Sequence, residues 1–377
     1  MTKKVIIAGI GQSPFGKLDC RTALDLEVEA AVKAIKDAGL RQPDVDGLIT
    51  DPGPAQGIVN GITPHYLALG QLLGLAPRYA GSEILGGAGS VAIIQRAAMA
   101  IEAGLCSVCL CVYGDAPLSS PGSYDYARGD EAAFGLFGAA GIHALAANRH
   151  KYLWGTREDH FAEVAIAARA HASRNPNAQL QEPLTLDEYR KAKYIVEPLR
   201  RPDCCLVSDG AAAVIVTSAD YAADLRKTPI NILGYGQAHS FGTWTSATHF
   251  DDSPAVRCGP EVLNKTGLTP NDIDVVQLYD CFTIVVLMQL EAYGFCAKGE
   301  SGPFVEGGRI GPDGSLPVNT SGGLLAEAYG GGMLHVIEAV RQLRSEAQDR
   351  QIANAETALI SGHGLGMNTH TTLILGN

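Results

Sequence analysis

The stretch Lys4-Val5-Ile6-Ile7-Ala8-Gly9-Ile10-Gly11-Gln12 returns 225 positions later as Pro229-Ile230-Asn231-Ile232-Leu233-Gly234-Tyr235-Gly236-Gln237. Each copy is an apolar run of strand length ending in two glycines one residue apart, which reads as a buried strand closed by a glycine turn. A helix follows the first copy, with Leu24, Val28, Ala31, Val32 and Ile35 on one face and Gly39 as its stop. Gly39-Leu40 then leads through Asp44-Val45-Asp46 into the strand Gly47-Leu48-Ile49-Thr50; Gly267-Leu268 leads through Asp272-Ile273-Asp274 into Val275-Val276-Gln277-Leu278, at a spacing of 228. A third match joins Gly87-Ala88-Gly89-Ser90 and its helix to Gly330-Gly331-Gly332-Met333 and its helix. Each of these helices runs on to an apolar strand, Val108 to Val112 and Ala358 to Ser361. Three matches in one order imply a duplicated α/β unit.

The two halves, residues 1–225 and 226–377, are expected to pack as layered sheets with helices between and outside them. A stretch from about Asp115 to Ala222 has no counterpart in the second half and reads as an insertion over one face. It is expected to be helical over Glu131 to His150 and Arg157 to Ser173, with a polar loop from Asn175 to Leu184.

Composition narrows the function. Hydrophobic residues are 46% of the 377 and charged residues 18%, enough for a large core and too apolar for global disorder. A net charge of −11 argues against a general binder of nucleic acids or anionic membranes. The first apolar run is too short for a signal segment, and no stretch reaches 18 apolar residues, so a cytoplasmic protein is expected. Nine cysteines, several inside apolar runs, fit a reducing compartment. Cys106-x-x-Cys109-x-Cys111 has no second Cys or His pair at zinc-finger spacing and reads as a buried strand; no metal is expected. Gly9-x-Gly11 places Pro14 where a dinucleotide fingerprint needs its third glycine. The Gly330 run lacks the Lys-Ser/Thr of a phosphate loop, and no Gly-x-Ser-x-Gly elbow occurs.

The local sequences resemble the thiolase superfamily, in its sterol-carrier-protein-type or lipid-transfer-protein branch. The resemblance is carried by Trp154-Gly155-Thr156-Arg157-Glu158-Asp159-His160-Phe161-Ala162, Asn175-Pro176 and Cys204-Cys205-Leu206-Val207-Ser208-Asp209-Gly210. It continues through Tyr279-Asp280-Cys281-Phe282, Asn319-Thr320-Ser321-Gly322-Gly323-Leu324 and His363-Gly364-Leu365-Gly366. It implies a duplicated α/β thiolase fold layered αβαβα. The thiolase chemistry is missing, however. The nucleophilic cysteine of such a protein would fall at Gly86, its Gly-His-Pro histidine at Tyr329, and the histidine of its His-Asp-Cys-Phe motif at Tyr279. Glycine cannot supply the thiolate that covalent acyl transfer needs.

This pattern is similar to the thiolase-like aldolases that cleave steroid side chains as coenzyme A thioesters. The resemblance implies a lyase that splits a branched β-hydroxyacyl-coenzyme A, a steroid or bile-acid side chain being favoured, into a ketone and a shorter acyl-coenzyme A. It implies Tyr279 and Tyr329 as the catalytic pair. No cofactor is called for, coenzyme A being part of the substrate. It also implies a homodimer flanked by two copies of a small partner with an oligonucleotide/oligosaccharide-type barrel and a zinc ribbon.

A retro-aldol cleavage needs a base for the hydroxyl proton and a donor near the thioester oxygen as enolate charge develops. Tyrosine, with a reference pKa of roughly 10, is a good donor and a poor base at neutral pH. One tyrosine then needs a lowered pKa or a relay partner, and His363 is the candidate. Cys281 reads as a packing residue, but the resemblance makes it a further candidate, because some thiolases of this branch use the cysteine of that motif as a general acid/base. His335 and His370 read as ordinary helix and strand residues, and Arg200-Arg201 as a solvated surface pair, with a coenzyme A phosphate contact as the alternative. Two other functions compete: an acyltransferase using Cys281 or another thiol, and a carrier of acyl thioesters or lipids without chemistry.

Overall fold

The computed structural model describes residues 4–53, 58–59, 63–119 and 129–377. The extreme N-terminus and residues 120–128 of the expected insertion lie outside them.

Nine strands form the main sheet: β1 (Val5–Gln12), β2 (Gly47–Pro52), β3 (Tyr79–Ser82), β4 (Val108–Asp115), β5 (Gly210–Ser218), β6 (Ile230–His239), β7 (Val275–Gln277), β8 (Thr357–Gly364) and β9 (Thr369–Gly376). Their spatial order is β7-β8-β9-β6-β1-β5-β4-β2-β3. Outward from the β6–β1 junction the two halves match. β1 and β6 pair antiparallel with β5 and β9, these pair antiparallel with β4 and β8, and β2 and β7 add on in parallel, β3 extending the first half by one more parallel strand. The register even slips at the same point, between Ile7 and Gly9 in one half and between Ile232 and Gly234 in the other.

The repeated glycines have a steric cause. A Cβ on Gly9 or Gly11 would lie 2.3 Å from a carbonyl oxygen of helix α1 (Ala23–Ala38). On Gly234 and Gly236 it would lie 2.4 and 2.6 Å from Thr266 and Val262 of α6 (Ala255–Thr266). Both helices therefore dock directly onto strand backbone. Between α1 and α6 the chain forms α2 (His65–Leu72), α3 (Gly89–Glu102), α4 (Gly138–Trp154) and α5 (Glu158–Ala172); α7 (Thr283–Ala292) and α8 (Met333–Leu343) follow.

Strands with both faces covered read as continuous apolar runs, and β4 shows why. Val108, Leu110 and Val112 pack outward with α1 and α2, while Cys109, Cys111 and Tyr113 pack inward with α3 and α8. α3 and α8 share this inner core with residues of β8 and β9, and the far face of the second half packs α4 to α7. The order is helix, one half of the sheet, the central helices, the other half of the sheet, helix.

Two details differ from the sequence reading. Gly210–Ser218, expected within the insertion, is the core strand β5, buried along its whole length. The expected helix from Glu131 to His150 is interrupted: one short turn ends at Ala133, and α4 begins at Gly138. Among the described residues no helix is long and apolar enough to cross a membrane.

Candidate active site

Four segments meet where the two central helices begin. They are the glycine turn before α3, Tyr279–Phe282 after β7, the run from Gly323 to Gly332 leading into α8, and the end of β8 at His363. Tyr279 is anchored through its backbone: its N–H donates to Ser361 Oγ (2.8 Å) and its carbonyl accepts from Gln289 Nε2 (2.7 Å). Asn319 brackets the preceding residue, accepting from the Leu278 N–H and donating to the Leu278 carbonyl, both at 2.8 Å. Asp280 turns away from Tyr279 and accepts from the Leu324 N–H (2.8 Å), opposite His335 Nε2 (3.1 Å). The two motifs thus interlock, and the interlock sets Tyr329 beside Tyr279. The Tyr329 N–H donates to Ser208 Oγ (3.1 Å), and the Cys205 N–H to the Cys281 carbonyl (2.9 Å), so the end of the insertion seals this joint.

The Tyr279 hydroxyl donates to the Tyr329 oxygen at 3.1 Å. Burial lifts both phenols well above the ordinary tyrosine range, and their mutual proximity adds to this for Tyr279. Both are therefore neutral donors at physiological pH, so neither has the lowered pKa that a tyrosine base needs. His363 and Cys281 are in the same site. The His363 ring centroid is 6.5 Å from that of Tyr279. Burial, then His143 and His370, pushes His363 well below the ordinary histidine range. Cys281 Sγ lies 3.8 Å from His143 Nε2, and burial with Cys205 and Asp280 nearby raises its thiol well above the ordinary value. The neighbouring Cys204 thiol is pushed up to about 12, again by burial. These thiols carry almost no thiolate at neutral pH, the form a nucleophilic cysteine requires.

The position of the absent nucleophile is closed as well. Gly86 sits at φ 57°, and a Cβ there would lie 3.0 Å from the Leu365 backbone nitrogen. On Gly87 a Cβ would lie 2.0 Å from Tyr279 Cζ, so the tyrosine ring occupies the space above this glycine. Gly332 flanks the other side of the ring, at 3.4 Å from Cδ2 by the same measure.

Three neighbours carried no signal for the site in sequence. His143, in α4, stacks on Phe282 with centroids 4.3 Å apart and approaches His363 to 3.4 Å. His335 is buried and holds Asp280 rather than lying on an ordinary helix face. His370 packs 6.3 Å from His363, centroid to centroid, and bonds Tyr293 at 2.8 Å. All three stand on helices or strands whose apolar pattern is otherwise unremarkable. Arg200 is not the solvated residue expected. Its side chain is 15% exposed, 4.1 Å over the Tyr194 ring and 3.2 Å from Glu158 Oε2. It braces the insertion.

Residues 236–377 match the family described as thiolase C-terminal domain-like. The chain is 35% identical to the 17-hydroxy-3-oxo-4-pregnene-20-carboxyl-CoA lyase of Mycobacterium tuberculosis, with all of both chains covered. It is likewise 35% identical to a steroid side-chain-cleaving aldolase of Thermomonospora curvata, over 98% of this chain and 97% of that one. Its fold superposes on the solved Ltp2-ChsH2(DUF35) aldolase with a TM-score of 0.89 at 34% identity, covering 99% of this chain and 97% of that one.

Proposed function

The chain belongs to the thiolase superfamily, among the steroid side-chain-cleaving aldolases, and from that premise we propose that it cleaves a branched β-hydroxyacyl-coenzyme A by a retro-aldol reaction carried by Tyr279 and Tyr329. It is a carbon–carbon lyase of the aldolase class. The products are a ketone and a shortened acyl-coenzyme A, and a steroid side chain is the favoured acyl group because the relatives' names specify one.

The observation that carries the reading is the hydroxyl pair itself: two protonated phenols 3.1 Å apart, Tyr279 buried and Tyr329 partly so, next to the glycine turn in which a thiolase would hold its cysteine. Phenols held neutral by burial are suited to stabilise negative charge on the thioester oxygen as the carbon–carbon bond opens. No covalent intermediate is needed, and coenzyme A serves only as part of the substrate. His363 takes part in the proton transfer, and Cys281 lies against His143, 3.8 Å from its Nε2.

An acyltransferase would need a thiolate, which burial opposes at Cys281. A carrier would have no use for two phenols bonded to each other. The assembly we propose is a homodimer flanked by a small partner with an oligonucleotide-type barrel and zinc ribbon. The solved neighbour, named as an Ltp2-ChsH2(DUF35) aldolase, supports the small partner.

The test is mass spectrometry of thioester products after incubation with β-hydroxyacyl- and β-ketoacyl-coenzyme A, with and without the proposed partner. The lyase yields a shortened acyl-coenzyme A from the β-hydroxy compound without free coenzyme A. Cleavage of the β-keto compound alone, and only with free coenzyme A, would overturn the reading in favour of a thiolase.

A further inference from the structure

We infer that His143 is a positioning residue that fixes the tautomer of His363, leaving His363 Nδ1 bare as the base that receives the substrate's hydroxyl proton. The inference deepens the lyase reading and rests on it. It begins with a carbonyl. His143 Nδ1 lies 2.7 Å from the Ala139 oxygen one helical turn back, and because a carbonyl only accepts, this nitrogen carries the hydrogen. His143 Nε2 is then a lone pair, since burial holds the ring's pKa at about 4 and keeps it neutral. His363 Nε2 stands 3.4 Å from that lone pair. Two lone pairs at that separation repel, so the hydrogen between them belongs to His363 Nε2. His363 is neutral as well, and its Nδ1 is therefore unprotonated.

That nitrogen is buried and has no hydrogen-bond partner among the described residues, which is costly for a polar atom unless it has another use. The groups packed about the ring are His143, His370, Tyr279 and, through His143, Cys281. No carboxylate is among them, so a proton taken up here is not trapped as a stable ion pair.

The step balances. The β-hydroxyl proton passes to His363 Nδ1, the carbon–oxygen bond becomes a ketone as the carbon–carbon bond breaks, and that bond's electron pair moves into the thioester enolate. The tyrosine pair then gives a proton to the enolate carbon, and the histidine proton restores the pair. The base is a histidine and the tyrosines are donors, as their raised pKa values require.

The tautomer is read without turnover, from long-range proton–nitrogen correlation spectra of the full chain labelled with [15N]histidine. The His363 signals are identified by their loss in His363→Gln. The expected wild-type spectrum has His363 protonated at Nε2 and bare at Nδ1. His143→Phe, which offers no acceptor, should give a mixture of tautomers and lower kcat by about 10- to 100-fold with KM unchanged. His143→Gln, whose side-chain oxygen accepts the same hydrogen, should restore most of both. A wild-type His363 protonated at Nδ1, or a folded His143→Phe variant with full kcat, would overturn the inference. A wild type with the expected spectrum but no lyase turnover would instead overturn the functional reading.

Discussion

A side chain on Gly87 competes with the Tyr279 ring for one volume and meets the His363 carbonyl oxygen at 2.5 Å, so Gly87→Ala should displace the phenol together with the end of β8. We expect it to lower kcat about as much as Tyr279→Phe does, on the order of 100- to 1,000-fold, the usual cost of one oxyanion-type donor. Steady-state rates on the β-hydroxyacyl thioester for the two variants check this. Gly86→Cys restores the expected thiol and should restore no thiolase: the site needs φ 57°, and the Leu365 nitrogen stands 3.0 Å from the new Cβ. Intact-mass measurement after exposure to an acyl-coenzyme A should show no acyl adduct. At this scale the sequence pointed to Tyr279 and Tyr329 through their register with histidines that a family resemblance had led one to expect, and the fold brings their hydroxyls to 3.1 Å from each other. His143 was illegible. It lies on an alanine-rich helix, and only folding shows that its ring meets His363 across a sequence separation of 220.

Among the elements, the strand–helix pairs β1–α1 and β6–α6 are the same device with different tolerances. A Cβ on Gly11 meets backbone, the Ala30 oxygen at 2.3 Å and the Ala34 nitrogen at 2.4 Å, whereas on Gly236 it meets side chains, Val262 at 2.6 Å and Cys258 at 3.7 Å. Gly11→Ala should therefore destabilise by about 3 kcal/mol and Gly236→Ala by nearer 1 kcal/mol, the range typical of overpacking. Urea titration separates the two. Helix α5 supplies a pH-dependent case. His171 Nε2 meets the Ile310 carbonyl at 3.0 Å, and burial holds the imidazole pKa at about 4. The unfolded chain protonates this histidine near its ordinary pKa of about 6.5, so its contribution is complete above that pH and is lost as pH falls toward 4. Relative to His171→Gln, the wild type should lose up to about 3 kcal/mol between pH 7 and 4, measured by denaturation at several pH values. The strands and the repeat were legible because glycine spacing and unbroken apolar runs are local. The place of β5 in the core was not. Its apolar run lies next to a polar insertion, and only antiparallel pairing with β1 and β4 assigns it to the sheet.

For the whole molecule, duplication was readable from three matches in one order, and the mirrored strand order on either side of the β6–β1 junction is its physical form. What no single half contains is the site. The first half contributes the glycine turn before α3, the second contributes both tyrosines and His363, and the insertion closes the joint between them. Sequence reading could name those pieces but not their meeting point, because that depends on how the layers stack. The site forms only where the halves meet, so conditions that separate them should abolish activity before they melt either half. Parallel unfolding curves followed by activity and by circular dichroism would show this as an earlier loss of turnover.

The two central helices begin side by side, α3 at Gly89 and α8 at Met333, and the Tyr279 ring lies between Gly87 and Gly332 at their starts. Electrically, this means that the positive ends of two backbone dipoles, each equivalent to about half an elementary charge, face the place where an enolate would form. That field comes from peptide units in the interior rather than from mobile side chains, and dissolved ions screen it poorly. The approach of a polyanionic coenzyme A thioester to a chain of net charge −11 is, by contrast, governed by the surface. Added salt should therefore change KM and leave kcat nearly constant, dividing the electrostatics of the protein into an outer part that the solvent controls and an inner part fixed by the fold.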